Sequence, residues 1–342
     1  MKFDIIGGGS LGLLFGGRLA GAGAGVTVWT RSERQAYLLG SGGIRLRSPD
    51  AEERIVRVDG KWIETAHMEP EAGASPGQAP VRFIILAVKQ TDLNDGLLRQ
   101  IGRLAARGDG MASAVVCLQN GIGHMERIQT VLPEAPLVAA VTTEGAKRLD
   151  ARTVVHTGSG RTWLGEWGTV ASRHGDTRES SQKMLVSMLE SAGFAAFLSN
   201  DMKDRMYNKL LINAVINPLT ALFDVTNGEL PAHPARRRLM RALYDESECL
   251  LRQAGIATDP DGWQAVLDVC DRTSGNISSM LGDVRSGRRT EIDAINGGII
   301  RLARQWKLKS PLNEAVTELI HALHKEPLTK GAKDHGDDLG EH

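Results

Sequence analysis

Lys209, Asn213 and Asn217 recur every four positions in the segment N-K-L-L-I-N-A-V-I-N-P-L-T-A-L-F, which runs from Asn208 to Phe223. At about 3.6 residues per turn this spacing sets them on one narrow stripe of a helix that is otherwise almost wholly apolar. A lysine and two carboxamides in a buried helix are costly unless something satisfies them. Such a stripe suits a polar substrate, and a positioned ammonium suits proton delivery to a carbonyl oxygen. An internal hydrogen-bond network, or a partly exposed stripe, is the plainer alternative. Pro218 follows the stripe and predicts a kink or an end to the helix.

A second polar cluster spans Asn276-Ile277-Ser278-Ser279-Met280-Leu281-Gly282-Asp283. Ser279 and Asp283 lie four apart, so they share a helix face. Residues 285–289 then read as a turn, and Thr290 reads as the N-cap of a helix over Glu291–Gln305. Glu291 would sit in the first turn of that helix, where the macrodipole favours the carboxylate. There it could accept a hydrogen bond from a substrate hydroxyl, or simply complement the dipole.

Gly7-Gly8-Gly9-Ser10-Leu11-Gly12 matches G-x-G-x-x-G between an apolar run and a helical one, the context that pattern requires. Gly7 permits a tight turn, Gly9 lets backbone approach a pyrophosphate, and Gly12 lets helix and strand pack closely. The helix N-terminus offers unpaired N–H groups to the anion. The second strand ends at Trp29-Thr30-Arg31, where an NAD site carries an acidic residue. Arg31, with Arg34 nearby, suits a 2′-phosphate instead, so NADP is expected over NAD. Two more strands end in polar residues, Lys89-Gln90 and Gln119-Asn120-Gly121. Ligands bind beyond the carboxyl ends of strands in open α/β sheets, so both groups are candidates to face the cofactor, with loop solvation the alternative.

The elements that must position these residues fall into two kinds. Phe3–Ile6, Val26–Trp29, Val81–Val88, Ala114–Leu118 and Leu137–Val141 are short apolar runs alternating with helical ones such as Leu11–Ala20. Continuous apolar strands are buried on both faces, which predicts a doubly wound α/β domain. Residues 42–80 read as a strand-and-loop excursion, and Val154-Val155 and Trp163-Leu164-Gly165 as the last strands. From about Ser180 the helical period dominates: Met184–Ala192, Met202–Phe223, Arg236–Ala254, Trp263–Val269 and Glu291–Gln305. The expected division is an α/β domain over residues 1–175, an all-helical domain over 176–325, and a polar, disordered tail over 326–342.

The 342 residues suffice for two such domains. Forty-one basic and 41 acidic side chains cancel, which gives no support for a nucleic-acid or membrane partner. No apolar run reaches the ~18 residues of a membrane span. Three cysteines, Cys117, Cys249 and Cys270, form no C-x-x-C pair and no even disulfide framework, so a cytoplasmic protein with nothing to remove is expected. Cys117, in an apolar run, reads as a core residue.

Together these motifs resemble the ketopantoate reductase (2-dehydropantoate 2-reductase) family. The resemblance runs from Gly7 to about Ile300. It rests on the glycine loop, Lys89-Gln90, Asn120-Gly121, the Lys209/Asn213/Asn217 stripe with Pro218, and the run from Asn276 to the segment T-E-I-D-A-I-N-G at Thr290. It implies a Rossmann-like domain followed by an all-α domain like the C-terminal domain of 6-phosphogluconate dehydrogenase. It also implies NADPH-dependent reduction of ketopantoate to pantoate, a step toward pantothenate and coenzyme A. Lys209 then aligns with the general acid and Glu291 with the acidic residue at the substrate hydroxyl, which is also counted among the cofactor contacts. Asn213, Asn217 and Ser279 align with substrate-binding residues, and Asn276 and Asp283 with polar positions beside the substrate. Asn120 aligns with a cofactor and active-site contact, Arg31 with the 2′-phosphate site, and Lys89 with a lysine supporting the cofactor; Gln90 and the whole loop Gly7, Gly8, Gly9, Ser10, Leu11 and Gly12 complete that site. The chain departs from the family at Gly8 and at Glu144 in Thr142-Thr143-Glu144-Gly145. The alternatives are a paralogous reductase of another 2-oxo or β-hydroxy acid, or a non-catalytic NADPH-binding sensor. A monomer or a homodimer fits equally.

Overall fold

The computed structural model describes residues 1–48, 51–68, 82–106, 114–168 and 175–323, with backbone alone at residue 51 and at residues 175–178. The chain opens with β1 (Lys2–Ile6), α1 (Ser10–Gly21), β2 (Gly25–Thr30), α2 (Glu33–Gly42), β3 (Ile44–Ser48), β4 (Ala51–Val56) and β5 (Asp59–Trp62). It continues through β6 (Arg82–Leu86), α3 (Asp95–Ala105), β7 (Ala114–Cys117), α4 (His124–Val131) and β8 (Leu137–Thr142). Then follow β9 (Gly145–Arg148), β10 (Thr153–Gly158), β11 (Arg161–Trp167), α5 (Gly175–Ser191) and β12 (Ala195–Leu198). The polar end of the chain expected to be disordered, 326–342, lies outside the described residues.

Eight of these strands form one sheet in the order β12-β11-β8-β7-β6-β1-β2-β5. Its centre is parallel, with β1 between β2 and β6 and β7 between β6 and β8. The central runs Phe83–Leu86 and Ala114–Cys117 are buried throughout, as expected of strands covered on both faces. Asp4 is the exception in β1, a buried carboxylate. It accepts from Trp29 Nε1 at 2.7 Å and pairs with Arg82, which satisfies its charge inside the sheet.

The excursion after α2 resolves into two uses. β5 joins the edge of the large sheet beside β2, while β3 and β4 build a second sheet in the order β4-β3-β10-β9. Val154-Val155 belong to this second sheet and Trp163–Gly165 to the first. Helix α1 packs against both sheets, so the glycine loop that precedes it is held from two sides.

The expected domain division at residues 175 and 176 is displaced. Helix α5 packs on α1 and β11, and β12 extends the large sheet parallel to β11, so the α/β unit reaches Leu198. Four residues of which one side chain is buried give no period to read, which is why β12 is silent in the sequence.

The helical unit comprises α6 (Met202–Phe223), α7 (Glu229–Ala232), α8 (Pro234–Gln253), α9 (Gly262–Arg272), α10 (Ser279–Arg285), α11 (Asn296–Gln305) and α12 (Pro311–Leu323). Helix α6 is its axis, with α8, α9, α10 and α12 packed around it. Pro218 does not end it; the helix runs on for five residues to Phe223. A proline removes the N–H that would bond the carbonyl four residues back. That carbonyl, Ala214 O, accepts from Asn296 Nδ2 at 3.0 Å instead. Asn296 is fully buried and also donates to Asn313 Oδ1 at 3.0 Å.

The expected helix over Glu291–Gln305 starts five residues late, at Asn296, with Ile295 rather than Thr290 at the N-cap. Residues 291–295 form turns because Ala294 O accepts from Ile122 N at 3.2 Å, outside any helical ladder. The approach there is close: a Cβ on Gly121, which lies at φ +82°, would fall 2.4 Å from the same oxygen.

Among the described residues no helix is long and apolar enough to cross a membrane. Asn296→Ala is expected to lower unfolding free energy by ~1–3 kcal/mol for the acceptor it orphans, Ala214 O, since Asn313 Oδ1 keeps Ser247 Oγ at 3.4 Å. Urea unfolding measures this; a loss below ~0.5 kcal/mol, the scale of an ordinary surface change, would mean that Ala214 O is satisfied some other way.

Candidate functional site

The carboxyl ends of β6, β7 and β8 each deliver a polar group to the helical unit, and β1 runs parallel to β6 beside them. β1 delivers the glycine loop. Gly7 sits at φ +111°, a backbone state favouring glycine, and a Cβ on Gly12 would lie 1.9 Å from Gly7 O, so strand and helix could not close with a side chain there. Gly9 is different. A Cβ on it would meet nothing nearer than Ala87 O at 3.9 Å, so no protein atom demands glycine at this position. Gly9 is also the N-cap of α1 and offers no side-chain cap, leaving the first N–H groups of the helix without a side-chain acceptor. Space above the backbone and donors facing it fit a dinucleotide pyrophosphate.

Gly8 accounts for one departure noted in the sequence. Its carbonyl accepts from Gln35 Nε2 at 2.9 Å and Arg148 Nη1 at 3.0 Å, and a Cβ there would lie 2.5 Å from Gln35 Nε2. Ser10 Oγ accepts from Arg148 N at 3.1 Å. Neither Gln35 nor Arg148 was legible as a loop support, since both arrive from separate elements. Leu11 packs against the core beneath the loop. Arg31 follows β2, is 82% exposed in its side chain, and pairs with Asp92 at 3.3 Å.

β6 delivers Lys89 and Gln90, and β7 delivers Asn120. Lys89 Nζ pairs with the buried Asp283 of α10, which also accepts from Arg288 Nε at 3.2 Å. Glu291, also buried, accepts from Gln90 N at 3.2 Å through Oε1 and from Asn120 Nδ2 at 3.2 Å through Oε2. Burial pushes the Glu291 carboxyl above its ordinary range, and these two donors and the Lys89 charge pull it back. It is therefore the donors from the α/β unit, not a helix dipole, that favour its ionised form.

β8 delivers the carbonyl of Thr142, which accepts from Lys209 Nζ at 2.9 Å. Burial lowers the Lys209 ammonium to a pKa of about 8, against the pull of Glu291. The stripe is as the spacing predicts: Lys209 and Asn213 are partly buried and Asn217 is buried on α6. Neither carboxamide side chain has a hydrogen-bond partner among the described residues, so the internal-network alternative does not describe them.

Not every expected residue joins this group. Asn276 and Ser279 are exposed and make no side-chain bond to Lys209 or Glu291. The buried serine is Ser278, which caps α10 through Leu281 N at 3.0 Å and receives Thr220 Oγ1 at 2.8 Å. Glu144 turns into the fold, where it meets His156 Nε2 at 2.6 Å, and His156 Nδ1 meets Arg18 Nη2 at 3.1 Å. Cys117 is buried and its thiol pushed up to about 12, which removes it as a nucleophile. Among the described residues no cluster of three or more His, Cys, Asp or Glu could hold a metal ion. An open depression of about 610 Å³ bounded by Thr226, Glu229, Arg237 and Asp271 shares no residue with the site.

Besides Gln35 and Arg148, sequence reasoning missed Thr142 and His124. Thr142 follows the rule that pointed to Lys89 and Asn120, a polar residue closing a buried strand. His124 gave no signal; it lies buried in the first turn of α4 beneath Gln90.

The family model described as ketopantoate reductase PanE/ApbA matches residues 3–169, and that of the C-terminal part of ketopantoate reductase PanE/ApbA matches residues 201–324. The chain is 31% identical over 327 residues to the 2-dehydropantoate 2-reductase of Bacillus subtilis (strain 168), covering 95% of this chain and 98% of that one. It is 28% identical over 323 residues to the 2-dehydropantoate 2-reductase of Archaeoglobus fulgidus, covering 94% and 97%. Among solved structures, it resembles a probable 2-dehydropantoate 2-reductase of Bacillus subtilis at 30% identity and a TM-score of 0.72, covering 94% of this chain and all of that one. It also resembles D-mandelate dehydrogenase in a ternary structure with NADH and anilino(oxo)acetate, at 25% identity and a TM-score of 0.81, covering 95% and 98%.

The two glycines at the loop make separable predictions. Gly12→Ala should disrupt the strand–helix contact and lower thermal stability. Gly9→Ala should leave stability within ~0.5 kcal/mol, as an uncrowded substitution does, while weakening dinucleotide binding at least about tenfold. Thermal unfolding beside a fluorescence titration with NADPH and NADH tests both; equal losses of stability would sink the distinction.

Proposed function

The chain belongs to the ketopantoate reductase family, and we propose that it reduces 2-dehydropantoate to pantoate with NADPH, with Lys209 as the proton donor. One observation carries the reading: α6 sets Lys209, Asn213 and Asn217 in line, with the ammonium fixed on Thr142 O and Glu291 within its field. Membership makes the protein a dinucleotide-dependent oxidoreductase.

The bound nicotinamide would supply a hydride to C2 of the 2-oxo acid. The glycine loop would hold the pyrophosphate, and Arg31 would exchange Asp92 for the 2′-phosphate. The substrate carbonyl oxygen would take its place near Lys209 Nζ and receive its proton as the C2 oxygen gains charge. Asn213 and Asn217, with unused donors and acceptors, would orient the carboxylate and carbonyl. Glu291, met by Gln90 N and Asn120 Nδ2, would accept from the substrate hydroxyl. Asn276 and Ser279 would approach the substrate from α10.

The likeness to D-mandelate dehydrogenase favours a second reading, reduction of a 2-oxo acid with an aromatic substituent by NADH. Steady-state oxidation of NADPH and of NADH with ketopantoate and with a phenyl-bearing 2-oxo acid separates the two. Turnover confined to ketopantoate and NADPH is the expected outcome. Turnover confined to the aromatic acid would replace the substrate, and tight cofactor binding without any turnover would leave a sensor.

Lys209→Ala should lower kcat by ~10²–10⁴ if Lys209 is the acid; near-normal turnover removes it from that role. The proton donor must be charged, so reduction should fall as pH rises through about 8, the pKa of Lys209. Glu291 is raised by burial, so on the acid side protonation should remove its acceptor role at a pH above that of an ordinary carboxyl. A pH profile of kcat/KM for the reduction, flat on its alkaline side to pH 10, would contradict the assignment of Lys209.

A further inference from the structure

His124 lies outside every motif that carries the proposed chemistry, yet it is buried directly behind them. Gln90 Nε2 stands 2.9 Å from His124 Nδ1 and 2.5 Å from Asn120 O. A carbonyl oxygen only accepts, so the nitrogen of the Gln90 amide must face Asn120 O. Its other hydrogen then points at His124 Nδ1, which must present a lone pair, with the ring proton on Nε2. Burial, which lowers the imidazole to a pKa of about 4, keeps the ring neutral as this bond requires.

The consequence reaches Glu291 by two routes. Gln90 contributes its backbone N–H to Oε1, and Asn120 contributes its side-chain N–H to Oε2. The two residues sit on separate loops, after β6 and after β7; Gln119 Nε2 already joins those loops through Val88 O at 3.2 Å, and the Gln90 amide is the tie that reaches Asn120 itself. The orientation of that tie depends on the acceptor behind it. Without a lone pair at His124, one amide hydrogen loses its buried partner, and the bond to Asn120 O alone is left to orient the Gln90 amide among the described residues.

We propose that His124 is a positioning residue that sets selectivity for a substrate hydroxyl, by fixing the Gln90 amide and through it the two donors that aim the Glu291 carboxylate. The proposal rests on the reading of Glu291 as the acceptor of that hydroxyl. It assigns the selectivity to a side chain that touches neither substrate nor cofactor.

The test compares kcat/KM for ketopantoate with that for its deoxy analogue, which lacks only the hydroxyl oxygen. A hydrogen bond to a charged acceptor corresponds to a preference of roughly 10- to 100-fold in the unsubstituted chain. His124→Leu removes the acceptor, and the preference should collapse to within about threefold, with NADPH affinity measured by fluorescence unchanged. His124→Asn places an amide oxygen near the position of Nδ1 and should keep most of the preference. Gln90→Met severs the same tie without altering α4 and should reproduce the collapse if the leucine variant does not fold. A leucine variant that keeps the preference overturns the proposal, as does an equal loss on both substrates in the leucine and asparagine variants, which marks packing alone. No turnover of ketopantoate by the unsubstituted chain sinks the functional reading and this proposal with it, whereas normal turnover with unaltered selectivity in the variants sinks this proposal alone.

Discussion

A carboxylate taken out of water costs several kcal/mol unless donors meet it, and among the described residues the donors that meet Glu291 come from across the junction between the two units. Its own segment contributes turns, not a helix terminus. The donors come from the ends of β6 and β7, in the α/β unit. Lys89 and Asp283 repeat the arrangement, a cation from the sheet side meeting a buried anion from the helical side. Lys209 on Thr142 O is the third such crossing. Asp283 also keeps Arg288 from its own unit, but the partners of Glu291 and Lys209 stand in place only when the two units hold one relation, so charge as well as apolar packing specifies that relation.

The glycine positions of the first loop divide by cause. Gly7 and Gly12 are fixed by the protein's own backbone and would be needed in an empty fold. Gly9 is required by nothing in the chain. A residue that the fold does not need, at a helix N-terminus with uncapped donors, is best explained by what comes to lie upon it.

Much of the fold was legible because its signals are local. The apolar strands β1, β6, β7 and β8 declare themselves by composition, and the glycine loop by its place between strand and helix. The Lys209 stripe is a matter of period alone. What failed depended on distant partners. Pro218 reads as a helix end until Asn296, far along the chain, supplies a donor to Ala214 O. Thr290 reads as an N-cap until Ile122 takes the carbonyl of Ala294. Glu144 reads only as a departure from the family pattern until His156 is found beside it. In the site itself, the residues with their own pattern were found, while Gln35, Arg148, Thr142 and His124, which act on neighbours brought in by the fold, were not.

Helix α6 is rooted in two hydrophobic cores at once. Met202 and Met206 belong to the core under the large sheet, while Leu211, Val215, Ile216 and Leu219 belong to the core of the helical unit, and Lys209 lies between the two sets. A continuous rod with each end sunk in a different core couples their melting, because neither end can fray without exposing apolar surface belonging to the other. The units are thus poor candidates for separate expression or for exchange between relatives by recombination near residue 200.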